Sequence, residues 1–386
     1  MTARLRRDDP SNLNNGLAAR RRPRRHRLLG AGLVVLGGLG ALAFYPGGAE
    51  KAPQALLDAG VRKAFAMVPG GAVDCAPRPQ ALQAELEQIA ASFDGKVGIA
   101  VTQAGCDWVV GARQDQFFPQ QSVSKLWVAL SVLDAVDRGK IRLDQDLTLR
   151  PQDLVVFNQP MRWTLLERGS ITLPVDSLLT DSLSLSDNLA NDKLMWTVGG
   201  PDHVRTVLKE REIPGIRFGP GERLLQSGIA GLEWTPELAL ANNFEVARAR
   251  VPLEQRQALL ARYVADPVDG ATPEGIARTL GRLARGELLS PDATQILLDK
   301  MLHSRSGPMR LKAGVPRDWK VYHKTGTGQE LRGLATGYND VAAFKAPDGA
   351  IYGVAVMIGE TRQPIRERTA MMQAVARAVV ASHTAS

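Results

Sequence analysis

Gln121-Ser122-Val123-Ser124-Lys125-Leu126-Trp127-Val128-Ala129-Leu130 places a serine three residues before a lysine, at the head of an apolar, helix-periodic run. Side chains three apart on a helix share a face, so the Lys125 amine can reach the Ser122 hydroxyl and take its proton. A serine hydroxyl is too weak a nucleophile at neutral pH without such a base. At a helix start the Ser122 N–H also has no partner within the helix, so it is free to meet a developing oxyanion. Activation and charge stabilisation thus come from one turn of chain, and Ser122 is the candidate nucleophile.

Ser-x-x-Lys alone is common, and an N-capped surface helix explains it equally well. Order changes that. Ser122-x-x-Lys125 is followed by Ser186-Asp187-Asn188 and then by Lys324-Thr325-Gly326-Thr327-Gly328. With these three motifs in sequence, the chain resembles the penicillin-recognising serine enzymes, most closely the class A serine β-lactamases, from about Pro79 to the C-terminus. The resemblance implies an α+β fold: an antiparallel sheet flanked by helices, with an inserted all-α subdomain and the site at the seam. It implies that Ser186 passes a proton to the departing nitrogen and that Asn188 holds the substrate's side-chain amide. It further implies that the Thr327 N–H joins that of Ser122 in the oxyanion hole, while Lys324, Thr325 and Thr327 receive a carboxylate beside Gly326. Arg332, four residues beyond Gly328, is a candidate second carboxylate partner, with a solvated surface position as the alternative.

The carboxylate that separates a lactamase from a penicillin-binding protein is sought as Glu-x-x-Leu followed by an amide residue. Glu222-Arg223-Leu224-Leu225-Gln226 matches best, 36 residues after Ser186, and the resemblance implies that Glu222 activates the deacylating water, with Lys125 or Glu222 as the base that activates Ser122. Gln226 stands where the family usually has asparagine, and Gly219-Pro220-Gly221 replaces the arginine that normally pins this loop. Glu237, in Trp234-Thr235-Pro236-Glu237-Leu238, imitates the motif but lies too far along the chain, and Glu233 lies beside it. Residues 234–267 read as an insertion beside the active-site loop, with helix-like pieces around Pro236 to Arg248 and Leu253 to Val264.

Composition bounds the rest. The 386 residues suffice for a large core. Of the net charge of +8, residues 1–27 supply +7 through nine arginines against Asp8 and Asp9, so the remainder is nearly neutral and no nucleic-acid partner is implied. Residues 28–45 carry no charge over a length that just spans a bilayer, read either as an anchor or as a cleaved signal peptide. Arginines on its N-terminal side set the tail inside and the rest outside, giving a periplasmic protein, anchored in the inner membrane or released. Residues 46–78 read as a linker, and 79–386 as the catalytic domain, with a sheet part of about 79–116 and 315–386 around a helical part of about 117–314. Cys75 and Cys106, in an oxidising compartment, are expected to form a disulfide, two buried thiols being the alternative. Five scattered histidines show no ligand spacing, so neither metal nor organic cofactor is implied. The expected protein is a monomer acting on a small β-lactam or a peptidoglycan-derived substrate. Its alternatives are a DD-peptidase or esterase on the same scaffold and a membrane-tethered penicillin-binding sensor without turnover.

Helices are expected from Ala81 to Asp94, Ser122 to Asp137, Pro201 to Glu212, Pro273 to Gly286 and Ile365 to Ser382. Strands are expected at Lys96–Val101, Trp108–Ala112, up to Lys324-Thr325, Asn339–Phe344 and Ala350–Ile358, with 139–201 otherwise helical or looped.

Overall fold

The computed structural model describes Cys75 and residues 77–385; the basic tail, the uncharged segment 28–45 and most of the linker lie outside the described residues. The chain begins with helix α1 (Gln80–Ser92) and strands β1 (Lys96–Gln103), β2 (Val110–Ala112) and β3 (Phe118–Pro119). Then follow α2 (Lys125–Asp137), β4 (Asp146–Leu149), α3 (Arg162–Arg168), β5 (Ile171–Pro174) and α4 (Val175–Thr180). The helical series continues with α5 (Asn188–Thr197), α6 (Gly200–Glu210), α7 (Glu222–Ala230), α8 (Asn243–Arg250) and α9 (Leu253–Ala265). After β6 (Gly270–Ala271) come α10 (Pro273–Ala284), α11 (Pro291–Leu302), β7 (Lys320–Gly326), β8 (Glu330–Leu331), β9 (Leu334–Lys345), β10 (Ile351–Thr361) and α12 (Ile365–Thr384).

The main sheet is antiparallel, in the order β2-β1-β10-β9-β7, with β8 paired to β9. First and last segments of the chain meet in it because β10, from the C-terminal end, pairs with β1, Ile99 opposite Val356. One face is covered by α1 and α12, where Leu82, Leu86, Met372 and Val375 pack on Val97, Val354 and Ile358. The other face receives α10, which approaches so closely that a Cβ on Gly353 would be driven into the Ala277 carbonyl. Burial on both faces explains why β10 reads as a nearly unbroken apolar run, while β9, equally buried, carries Thr336, Asn339 and Asp340 inward. Cys75 and Cys106 are joined by a disulfide that ties the segment before α1 to the loop between β1 and β2.

Helix α2 is buried from Lys125 to Ala135, a helix apolar nearly all round at the centre of the helical layer. Two corrections apply to the segment after it. Residues 139–201 are not wholly helical or looped: β4 and β5 form a two-stranded ribbon, with Thr148 and Thr172 hydroxyls 3.0 Å apart across it. Four-residue strands carry too little alternation to announce themselves. The first insertion piece is also not one helix; a 3-10 turn, Pro236–Ala239, breaks off before α8 at Ala241, whose φ is +45°.

The insertion packs beside the site. Leu260, Tyr263 and Val264 of α9 cover Leu225 and Ile229 of α7, and Phe244 of α8 meets Val156 and Ala230. Phe244 also meets Phe157 edge-on, ring centroids 5.0 Å apart. Loop, insertion and sheet edge are thereby one packed wall.

Candidate active site

Ser122 lies in a single 3-10 turn, Gln121–Ser124, that leads directly into α2. The turn sets the spacing: Lys125 Nζ donates to Ser122 Oγ at 2.9 Å and to Asn188 Oδ1 at 2.7 Å. Lys125 is buried, and burial lowers its pKa against the opposing pull of Glu222, Asp187 and Asp192. The residue before the nucleophile, Gln121, is held at φ +53°, a conformation costly for a side chain outside glycine. It is over-determined: its N–H donates to Asp269 Oδ2 at 2.8 Å, and its Nε2 to the Tyr263 hydroxyl at 2.6 Å.

Asp269 and Tyr263 extend this support of the nucleophile turn. Tyr263, from the insertion, donates to Asp269 Oδ1 at 2.9 Å, and Gln120 Nε2 donates to the Asp269 carbonyl at 2.6 Å. Buried, Asp269 has its carboxyl pKa raised by desolvation, and the Tyr263 phenol is pushed well above its usual value. The loop before Glu222 is itself held by Arg205, which donates from Nε to the Phe218 carbonyl at 2.9 Å and from Nη2 to the Gly219 carbonyl at 3.0 Å.

Ser186-Asp187-Asn188 combines a cap with chemistry. Asp187 Oδ1 accepts from the N–H groups of Leu189 and Ala190 at 2.7 and 3.1 Å, capping α5. The cap fixes Ser186 in the left-handed region, φ +59°, and starts the helix at Asn188. Asn188 Nδ2 donates to Glu222 Oε1 at 2.8 Å, so one amide bridges Lys125 to Glu222. Glu222 is partly open to the cavity it lines, and burial raises its pKa to about 7, with Lys125 pulling the other way. Glu233 and Glu237 are exposed and line no part of that cavity.

The end of β7 forms the opposite wall. Lys324 Nζ donates to Ser186 Oγ at 3.0 Å and to the Thr325 carbonyl at 2.9 Å. Its pKa is pushed well below the usual value by burial, and then by Lys125 and Arg310. Thr325 Oγ1 donates to Ser306 Oγ at 2.8 Å, and Arg310 Nη2 donates to Thr327 Oγ1 at 2.7 Å. Gly326 backs this wall against the nucleophile turn: a Cβ there would strike the Gln120 carbonyl oxygen, which Asn339 Nδ2 anchors at 3.1 Å. Gly326→Ala is therefore expected to displace Ser122 and slow its acylation by about 10–100-fold. Stopped-flow trapping of the acyl-enzyme beside a melting curve checks it; unaltered acylation contradicts it.

Ser122, Ser186, Asn188, Glu222, Gln226, Thr325 and Thr327 line one cavity of about 450 Å³, with Lys125 and Lys324 directly behind it. Gln226 is buried, donating to Gln121 Oε1 at 2.9 Å and accepting from Gln329 Nε2 at 3.0 Å. Arg332 is not brought in. It is exposed in the two-residue turn between β8 and β9, outside the cavity lining, because the register Leu331 opposite Leu334 forces Arg332-Gly333 to make the turn. The cation beside Thr327 is Arg310, buried and stacked 3.7 Å from the Tyr338 ring centroid. Arg310 lies in a loop before β7, so no motif spacing marked it. Asp269, Tyr263, Ser306 and Gln329 were likewise missed.

A sheet, a helical layer and a serine–lysine pair at their junction define a serine enzyme built for acyl transfer, and comparison with known proteins agrees. The model of the Beta-lactamase enzyme family matches residues 81–382. VEB-1 of Pseudomonas aeruginosa is 24% identical over 285 residues, covering 73% of this chain and 83% of that protein. A β-lactamase of Mycobacterium tuberculosis is 29% identical over 298 residues, 77% and 81% of the two chains. Among solved structures, a β-lactamase from Chitinophaga pinensis superposes with a TM-score of 0.65 at 24% identity, covering 79% of this chain and all of that one. An ancestral class A β-lactamase gives 0.60 at 29% identity, covering 78% and 99%. The chain belongs to the β-lactamase enzyme family, as a serine hydrolase of the class A type.

Proposed function

We propose that the protein opens β-lactam rings through an acyl-enzyme on Ser122 that Glu222 hydrolyses, and that it does so outside the cytoplasm. The observation carrying this is the pair of bonds from Asn188, one to Lys125 and one to Glu222, which sets an acylating base and a deacylating base around one serine. A buried amine with a lowered pKa, 2.9 Å from Ser122 Oγ, is suited to accept its proton. Ser122 Oγ attacks the lactam carbonyl as that proton moves to Lys125 Nζ. The ring C–N bond then breaks as Ser186, 3.0 Å from Lys324, gives its proton to the nitrogen and is reprotonated from the lysines around it. Water deprotonated by Glu222 attacks the resulting ester, its C–O bond breaks, and Ser122 recovers a proton. Lys324, Thr325, Thr327 and Arg310 receive the ring carboxylate, and Asn188 the acylamino group.

The same carboxylate gives the pH dependence. Ionised Glu222 is the base, and its pKa sits at about 7, so the working form is lost as pH falls through about 7. Turnover of a chromogenic cephalosporin should therefore decline below neutrality, approaching about tenfold per pH unit on the acid side. Rapid turnover also separates this reading from a DD-peptidase or a sensor, both of which would stop at one slow equivalent. A single burst with no turnover at any pH from 5 to 9 would sink it.

A further inference from the structure

The insertion contributes one side chain to the cavity that none of the motifs requires. Arg248, in the last turn of α8, is partly buried, lines the cavity and donates from Nη1 to Gln329 Oε1 at 2.9 Å. Gln329 bonds to Gln226, and Gln226 to Gln121, so the guanidinium is anchored by amides linked to the residue beside Ser122. A guanidinium carries five N–H donors, of which Gln329 occupies one. Among the described residues no carboxylate lies within ion-pair reach of Arg248.

The neighbouring charges sharpen the point. Glu245 lies on the same helix, and Arg256 of α9 adds a second cation, its buried Nε without a hydrogen-bond partner. Glu330 lines the cavity too, but is exposed at the hairpin edge. This corner of the wall holds two guanidiniums, Arg248 and Arg256, and two exposed carboxylates, Glu245 and Glu330, with no ion pair formed between them. It also belongs to a different hydrogen-bonded group from Arg310, which serves Thr327, Gly326 and Asn339.

Resting on the reading of the cavity as a β-lactam site, the arrangement separates two ends of the substrate. The ring carboxylate goes to the Arg310 group, and the acylamino group to Asn188. Gln226, Gln329 and Arg248 line the same cavity as Asn188 and form a hydrogen-bonded group of their own. We propose that Arg248 is an anion-binding element for the substrate's side chain, selecting β-lactams whose acylamino substituent carries a carboxylate. A planar fork with free donors in a partly desolvated wall binds a carboxylate more tightly than a surface cation does.

Two penicillins that differ by one group test it: benzylpenicillin, and its analogue with a carboxylate on the benzylic carbon. With the purified full chain, Arg248→Gln should lower the ratio of kcat/KM, carboxylated over plain, by about tenfold, and Arg248→Lys by less. The loss should fall mainly on KM, and added salt should shrink the wild-type ratio. Glu330→Gln reads the same charge from the other side and should raise the ratio, which keeps the test open should the Arg248 variants melt. An unchanged ratio, or an equal loss on both substrates as a purely structural arginine would give, overturns the proposal. Failure of wild type to form a Ser122 acyl-enzyme with either penicillin overturns instead the β-lactam reading beneath it.

Discussion

Glu222→Gln enzyme mixed with a penicillin is expected to stop at the acyl-enzyme. Glutamine keeps the volume and can still accept from Asn188 Nδ2, so the bridge that positions Lys125 survives. It cannot take a proton from water. Removal of a general base costs about 10²–10⁴-fold, and here the loss should fall on deacylation because Lys125, not Glu222, touches Ser122. The same substitution separates function from stability. Folding holds the Glu222 proton up to about 7 against an ordinary value of 4.5, so the ionised form costs the native state stability. That cost is absent below the unfolded value and complete above about 7. Against wild type, Glu222→Gln should therefore melt higher at pH 8, by roughly 1–3 kcal/mol of stability, and gain little near pH 4.5. Equal melting shifts at both pH values would contradict the burial argument without touching the kinetics.

Ser122→Ala is expected to abolish covalent labelling by a fluorescent penicillin. Ser186 has a buried lysine at 3.0 Å as well, but its own N–H is already given to the Asp181 carbonyl, whereas Ser122 stands in the turn that opens α2. Ser122 pairs a buried amine at 2.9 Å with a position at a helix start, where a backbone N–H is placed to meet an oxyanion. Alanine leaves the cavity and its wall of Lys324, Thr325 and Thr327 intact, so reversible binding should persist while the adduct disappears. Labelling that survives the substitution would move the nucleophile elsewhere.

How much of this was legible in the sequence depends on range. The Ser122–Lys125 pairing is local, set by one turn, and the structure returns it at 2.9 Å. Asp187 as a cap is local too, readable from an Asp before a helical run. Strand β10 shows itself through a long apolar run and β9 through its apolar end, residues 341–344, whereas β4 and β5 are too short to outweigh their helical surroundings. The errors and omissions at the site are all long-range. Arg332 was chosen for closeness in sequence to Gly328, but hairpin register turns it outward, while Arg310 arrives from a loop 14 residues before Lys324. The absent loop arginine is visible in the sequence; that Arg205 reaches the Phe218 and Gly219 carbonyls, and that Tyr263 and Asp269 hold Gln121 across more than 140 residues of chain, is not. Nothing in the spacing of the insertion announced that it would supply this support and, in Arg248, part of the cavity wall.

The site concentrates buried charge that the fold must support. Lys125, Lys324, Glu222 and Asp269 all have pKa values shifted toward their neutral forms by desolvation, the pattern expected where stability is given up for reactivity. The Asn188 amide holds Lys125 and Glu222 at hydrogen-bond distance without adding charge.

The most direct test of a Ser122 acyl-enzyme cleared by Glu222 is intact-protein mass spectrometry over time after one addition of benzylpenicillin, with peptide mapping of any adduct. Wild type should return to its free mass once the drug is consumed, and Glu222→Gln should remain heavier by one penicillin, carried on the peptide that contains Ser122. A Glu222→Gln protein that returns to free mass as fast as wild type, or an adduct on any other residue, would contradict the account.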